Sequence, residues 1–203
     1  MFFAWIGPPA AGSRWFERGA ASARQIMSGE PWRAVTALTL HVDAVHVAGN
    51  AVATAALLPP IVQRLGPGWG LWLPLLAGTA GNLLSATLYD PRHVAVGAST
   101  ATFGAIGILA GLRLFATPPR ARTRWKPWIV PVACLVLLAF LGAGRDADVL
   151  AHGLGLLSGA ALGFAASATP RRLLDPSLQW PLVALAALTV IGCWLLALAA
   201  PAQ

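Results

Sequence analysis

Charge is scarce in this 203-residue chain. Asp, Glu, Lys and Arg together make up 10% of it, against about 25% in a soluble domain. A water-covered surface is hard to build from so few charges. Disorder is excluded by the 57% of hydrophobic residues, because disordered chains are poor in apolar side chains and rich in charge. Cysteine is nearly absent. Cys134 and Cys193 sit in separate apolar runs, which excludes a disulfide scaffold and a zinc finger. Glutamate occurs only as Glu17 and Glu30, both outside those runs, so the HExxH zinc motif is missing. The GxSxG elbow of soluble serine hydrolases also fails, since Ala101 holds its last position.

Long uncharged runs are what the chain does have. Residues 44–63, 65–89, 93–112, 127–144, 149–170 and 176–203 contain no Asp, Glu, Lys or Arg. A membrane-crossing helix needs about 20 mostly apolar residues, so the expectation is an all-α, polytopic membrane bundle of six transmembrane helices. No strand alternation of the barrel kind is present. Glycine and proline are frequent, which such helices tolerate when neighbours re-satisfy the backbone.

The net charge of +7 is distributed as a topology signal and predicts no nucleic-acid partner. One set of alternate connections holds Arg64, Arg113, Arg120, Arg122, Arg124, Lys126, Arg171 and Arg172 against Asp175 alone. The other set balances six arginines with six acids. The excess of Lys and Arg marks the cytoplasmic side. Thirteen arginines against one lysine, with abundant alanine, point to a GC-rich bacterial genome and its cytoplasmic membrane. Met1–Ile6 reads as the tail of a helix whose beginning is missing. Residues 10–33, which mix charges with Trp15, Phe16, Ile26 and Trp32, are expected outside, resting on the interface.

Ionisable and polar side chains inside apolar spans are functional hypotheses by default. His46 and Asn50 are four residues apart and share a helix face. Ser99 lies in the third run and His152 in the fifth. All three runs share one direction. Counted from Asp43, Arg92 and Asp148, and taking 1.5 Å per helical residue, these side chains fall roughly 5–10 Å below the outer interface. One shallow layer then holds a hydroxyl, two imidazoles and an amide. That layer suits acyl transfer. A serine hydroxyl needs a base within hydrogen-bond reach, for which His152 is the candidate. Asn50, His46 and the backbone amide of Ser99 are candidate donors to an oxyanion. No carboxylate lies within the spans, so the expectation is a dyad. Gly155, Gly159 and Gly163 repeat every four residues after His152, and Gly104, Gly107 and Gly111 follow Ser99; small residues so placed allow their helices to approach closely.

These residues resemble the rhomboid family of intramembrane serine proteases over most of the chain. Trp32-Arg33 resembles the tryptophan–arginine pair of the family's first external loop. His41, with His46-Val47-Ala48-Gly49-Asn50, resembles its HxxxxHxxxN pattern. Gly97-Ala98-Ser99 followed by Phe103-Gly104 resembles its GxSG element, with Thr100 in the fourth position. Ala151-His152 with Gly155 and Gly159 resembles its AHxxGxxxG element. The resemblance implies Ser99 as nucleophile, His152 as base, and His46 and Asn50 at the oxyanion. It implies Phe103 beside the base, with Gly97 and His41 in support. It also implies membrane-anchored protein substrates, cleavage near the outer face, and no cofactor or metal. Residues 1–33 would be a truncated first helix and external loop. Residues 34–170 would form the catalytic core, and 171–203 a turn and extra C-terminal helix. Most of the family's first helix is missing, for which a start codon placed too far downstream is the expected reason. Two other readings stay open. One is a rhomboid-like protein that binds membrane clients without cutting them. The other is a haem carrier ligated by His46 and His152, which leaves Ser99 and Asn50 unexplained.

Overall fold

The computed structural model describes residues 2–9, 13–114, 148–168 and 174–200. Short elements come first: α1 (Phe2–Ile6), α2 (Arg14–Gly19), β1 (Ala21–Ser22), α3 (Ala23–Met27) and α4 (Arg33–Thr36), the last continued by a 3-10 turn, Ala37–Thr39. Then come α5 (Ala44–Leu65), α6 (Pro67–Leu88), β2 (Val94–Ala95), α7 (Ser99–Leu114), α8 (Val149–Ser167) and α9 (Pro176–Ala199). Among the described residues, four helices are long and apolar enough to cross a membrane: α5, α6, α8 and α9. The chain is a multi-pass helical membrane protein.

One of the six expected spans comes out differently, and another lies outside the described residues. The run 93–112 is not one helix. Its start is extended, as β2, and the helix begins only at Ser99 and has 16 residues. The physical cause is local. Gly97 takes φ +130°, a conformation that ends helical propagation, and β2 pairs antiparallel with β1 through Ala21↔Ala95 and Ser22↔Val94. Residues 127–144, the Arg120–Lys126 cluster and Cys134 lie outside the described residues.

Helix boundaries follow side-chain caps. Asp43 accepts the His46 amide at 2.7 Å to start α5. Asp148 accepts the Ala151 amide at 2.9 Å to start α8, and Asp175 accepts the Ser177 amide at 2.8 Å to start α9. Each satisfies an otherwise orphaned N–H. A single residue, Gly66 at φ +87°, turns α5 into α6, and Pro67 opens α6 where no amide donor is needed.

α7 is the central helix. It packs against α5, α6 and α8, and Ile106, Ile108 and Leu112 on it are at most 1% exposed. Its fit to α8 is backbone to backbone. A Cβ on Gly159 would meet the Gly104 backbone, one on Gly163 the Ile108 backbone, and one on Gly107 the Ala160 amide nitrogen. Glycines every three or four residues on α7 and every four on α8 make this contact possible.

The segment before α5 folds against the long helices. Ala20, Ala21, Ala23, Ile26, Ala34 and Ala37 are buried, and α3 and α4 pack on α6. Glu30 and Arg33 counted towards the charge balance of an exposed loop in the sequence, but they form a buried pair at 2.5 Å. Arg33 also donates to the carbonyls of Glu17 at 2.9 Å and Ala20 at 3.2 Å. Burial of these charges is tolerable because each is paired and hydrogen-bonded. Thr36 donates to Gly19 at 2.7 Å, and Asn82 of α6 donates to the Ala34 carbonyl at 2.9 Å. α9 closes the other side: Trp194 donates to Thr39 at 3.0 Å, and Gln179 accepts the Gly68 amide at 3.0 Å.

Candidate active site

The N-termini of α5, α7 and α8 meet at one end of the bundle, and each brings polar residues from its first two turns. Ser99, the first residue of α7, lies with its Oγ 2.7 Å from His152 Nε2. Both residues are buried, at 5% and 3% exposure. Phe103, one turn along α7, stacks on the His152 ring with centroids 4.6 Å apart and planes at 17°. His152 Nδ1 has no hydrogen-bond partner. The stacked ring, rather than a carboxylate, holds the imidazole in orientation.

The depth estimate from sequence treated the Ser99 approach as helical, which the fold corrects. Val94 and Ala95 are extended, at about 3.3 Å per residue against about 1.5 Å in a helix. Gly97 is where this chain turns into α7. Its amide donates to the Ala37 carbonyl at 2.9 Å. A Cβ there would lie 2.6 Å from His46 Cε1 and 3.5 Å from Ser99 Oγ. Gly97 is therefore required twice, by its φ and by the imidazole packed on it.

Asn50 is 3% exposed. Its Oδ1 accepts from Thr102 at 3.4 Å, while its Nδ2 is buried without an acceptor. An orphaned buried donor beside a helix start is what an oxyanion requires. The first amides of α7 add to it, since the first intrahelical acceptor is Ala98, bonded by the Thr102 amide at 2.9 Å. His46, Ser99 and His152 line a cavity of about 300 Å³. Asn50 and His41 face an apolar groove of about 710 Å³ along α5. His41 stands edge-on to His46 with centroids 5.2 Å apart. Burial, reinforced by His46, holds the His41 imidazole down to about 4, so it is neutral at physiological pH.

Thr100 departs from the glycine of GxSG and is accommodated by glycines elsewhere. Cβ atoms on Gly81 and Gly155 would approach its Cγ2 to 2.6 and 2.9 Å, so its methyl group fills the notch they leave. A sequence pattern read along α7 alone cannot show this exchange.

Sequence reasoning missed one cluster. Asp148 and His93 are 55 residues apart in the chain, and no local pattern pairs them. His93 Nε2 lies 2.8 Å from Asp148 Oδ2, the Tyr89 hydroxyl donates to Oδ1 at 2.7 Å, and the Tyr89 and His93 rings stack at 3.8 Å. Burial and the bond to Asp148 push the Tyr89 phenol up to about 12, so it remains a donor. The only sequence signal was the position of Asp148 one turn before His152. Among the described residues no three His, Cys, Asp or Glu side chains converge as metal ligands.

Fold and site together describe a polytopic helical membrane protein with a serine–histidine pair buried among helix starts. The Rhomboid domain family matches residues 28–169, and the chain belongs to that family. Similar proteins include Rhomboid-like protease 3 of Toxoplasma gondii, 34% identical over 71% of this chain and 55% of its own length. The putative rhomboid protease YdcA of Bacillus subtilis is 29% identical over 68% of this chain and 69% of its own. Rhomboid protease GluP of the same organism is 34% identical over 83% of this chain and 33% of its own. The chain thus spans about half the length of the first of these and a third of the last. No solved structure matches it.

Proposed function

We propose that the chain is an intramembrane serine endopeptidase acting through a Ser99–His152 dyad on membrane-anchored protein substrates. The observation that carries this reading is the 2.7 Å contact between Ser99 Oγ and His152 Nε2; Asn50, whose Nδ2 is unpaired, is bonded through Oδ1 to Thr102 on the Ser99 helix. In the reaction, Ser99 Oγ attacks the scissile carbonyl carbon as its proton passes to His152 Nε2. The carbonyl oxygen gains negative charge and is met by Asn50 Nδ2, His46 and the first amides of α7. Collapse expels the amine, which takes the proton from His152. Water then attacks the acyl-serine by the same route in reverse order. Phe103 keeps the base in register, and Gly97 lets the His46 ring pack close to Ser99.

In this reading the site lies on the outer side of a bacterial cytoplasmic membrane. In support, Ser99, His46 and His152 occupy the starts of α7, α5 and α8, while Arg113 and Arg64 stand at the far ends of α7 and α5. Basic residues face the cytoplasm. Residues 34–170 make up the catalytic core in this reading.

The test is fluorophosphonate labelling of detergent-solubilised protein, with wild type beside Ser99→Ala and His152→Ala. Labelling in wild type and loss in both variants is expected. Absence of labelling in folded wild type shifts the function to client binding without cleavage.

A further inference from the structure

Asp148 makes more contacts than capping requires. One acceptor oxygen suffices to cap a helix, and serine or asparagine serves as well. Here Oδ1 accepts both the Ala151 amide and the Tyr89 hydroxyl, and Oδ2 is held by His93 Nε2. The three residues come from three directions. Tyr89 ends α6. His93 begins the extended segment that runs through β2 and Gly97 to Ser99. Asp148 starts the helix that carries His152. His93 and Asp148 line the same cavity as Ser99 and His152, and their side chains are 28% and 10% exposed.

The position of His152 gives this arrangement its consequence. Backbone packing of α8 on α7 begins at Gly155, whose Cβ would meet the Thr100 carbonyl group, with its carbon 3.2 Å away. His152 stands three residues before that contact and four after Asp148. It is therefore held from one side by the glycine contact and from the other by Asp148. Without the second hold, the first turn of α8 would be free to tilt about Gly155 and open the gap to Ser99.

We propose that Asp148, His93 and Tyr89 form a clasp that sets the distance between Ser99 and His152, acting as positioning residues for the cleavage reaction. This rests on the dyad reading above. The clasp ties the segment leading to the nucleophile directly to the helix of the base. Its loss affects the rate at which Ser99 reacts before it affects whether the protein folds.

The experiment is fluorophosphonate labelling of the full chain in detergent, recording both the rate constant and the final stoichiometry, together with thermal unfolding. Asp148→Ser keeps a helix cap but cannot reach His93 or Tyr89. We expect it to slow labelling about 10- to 100-fold, the range that follows from displacing a reacting group by up to 1 Å. His93→Ala should do the same, and Tyr89→Phe, which removes a single oxygen, about threefold. The double variant Asp148→Ser/His93→Ala should be no slower than Asp148→Ser alone, because both break one contact. Final stoichiometry should stay at the wild-type value.

Labelling rates within twofold of wild type in all three single variants would overturn the clasp. So would a fall in stoichiometry and unfolding temperature with an unchanged rate, which marks a purely structural role. Should Asp148→Ser fail to fold, Tyr89→Phe decides alone, by the same criterion. If wild type labels no faster than Ser99→Ala, the dyad falls and the clasp with it. That result is distinct from a clasp failure, in which Ser99-dependent labelling persists.

Discussion

Replacing Gly159 with alanine adds one methyl group to the face of α8 that lies on α7. An ideal Cβ there lies 2.7 Å from the Gly104 carbonyl carbon and 2.8 Å from its Cα, where ordinary contact needs at least 3.4 Å. The helices must part by about 0.7 Å, and by more to clear the nearer Gly104 carbonyl oxygen. Both neighbours are backbone, so no side chain can swing aside. A shift of this size carried to the start of α8 would stretch the 2.7 Å Ser99–His152 contact to the limit of a hydrogen bond. Misplacement by 1 Å costs about 10²-fold in rate, so Gly159→Ala should slow fluorophosphonate labelling by roughly 30- to 100-fold. Overpacking costs about 1–3 kcal/mol, partly offset by the better helix propensity of alanine, worth about 1 kcal/mol.

Gly153 on the same helix is the control. A Cβ there meets nothing within 4 Å, so Gly153→Ala should label at the wild-type rate and unfold at an equal or slightly higher temperature. Both variants are assayed for labelling rate, final stoichiometry and thermal unfolding in one detergent. Gly159→Ala labelling within threefold of wild type would refute the reasoning, since the α7–α8 contact would then not set the distance between the reacting groups.

Other perturbations test the remaining parts of the site. Asn50→Ala removes the unpaired Nδ2 and should slow labelling by about 10²–10³-fold; a change below threefold would exclude it as an oxyanion donor. Gly97→Ala forces a side chain into φ +130° and against the His46 ring, which should cost about 1–3 kcal/mol of stability and most of the activity. Thermal unfolding with wild-type temperature would contradict this. His41 is held at about 4, below its ordinary 6.5, so the folded state resists its protonation. Its contribution to stability is intact above about pH 6.5 and is lost as pH falls towards 4. His41→Gln should therefore lose less stability than wild type between pH 7 and pH 4. Parallel unfolding curves at every pH would refute that assignment.

Much of the site was legible from local signals. Apolar runs mark the long helices, because the cost of burying charge in lipid acts on each segment separately. The glycine spacing on α7 and α8 announces close packing, since glycines repeated along one helix face let backbones approach. Other features were not legible because they depend on partners distant in the chain. The burial of Arg33 requires the Glu17 and Ala20 carbonyls, and nothing in a run of mixed charges distinguishes that from an exposed loop. The run 93–112 looked like a helix because uncharged residues in a strand and a helix are alike in hydropathy. Only the pairing of β2 with β1 made the difference.

The sequence by itself determined that the chain is a membrane helical bundle, and which serine, histidines and asparagine could share a layer. Composition and periodicity are local properties, and the bilayer acts on them directly. Only the tertiary structure decided that Ser99 begins its helix and meets His152. It also decided that Thr100 fits between Gly81 and Gly155, and that Asp148 binds His93 and Tyr89. Each of these is a distance of a few ångströms between segments tens of residues apart. Such distances are set by the packing of whole helices, which no single stretch of sequence contains.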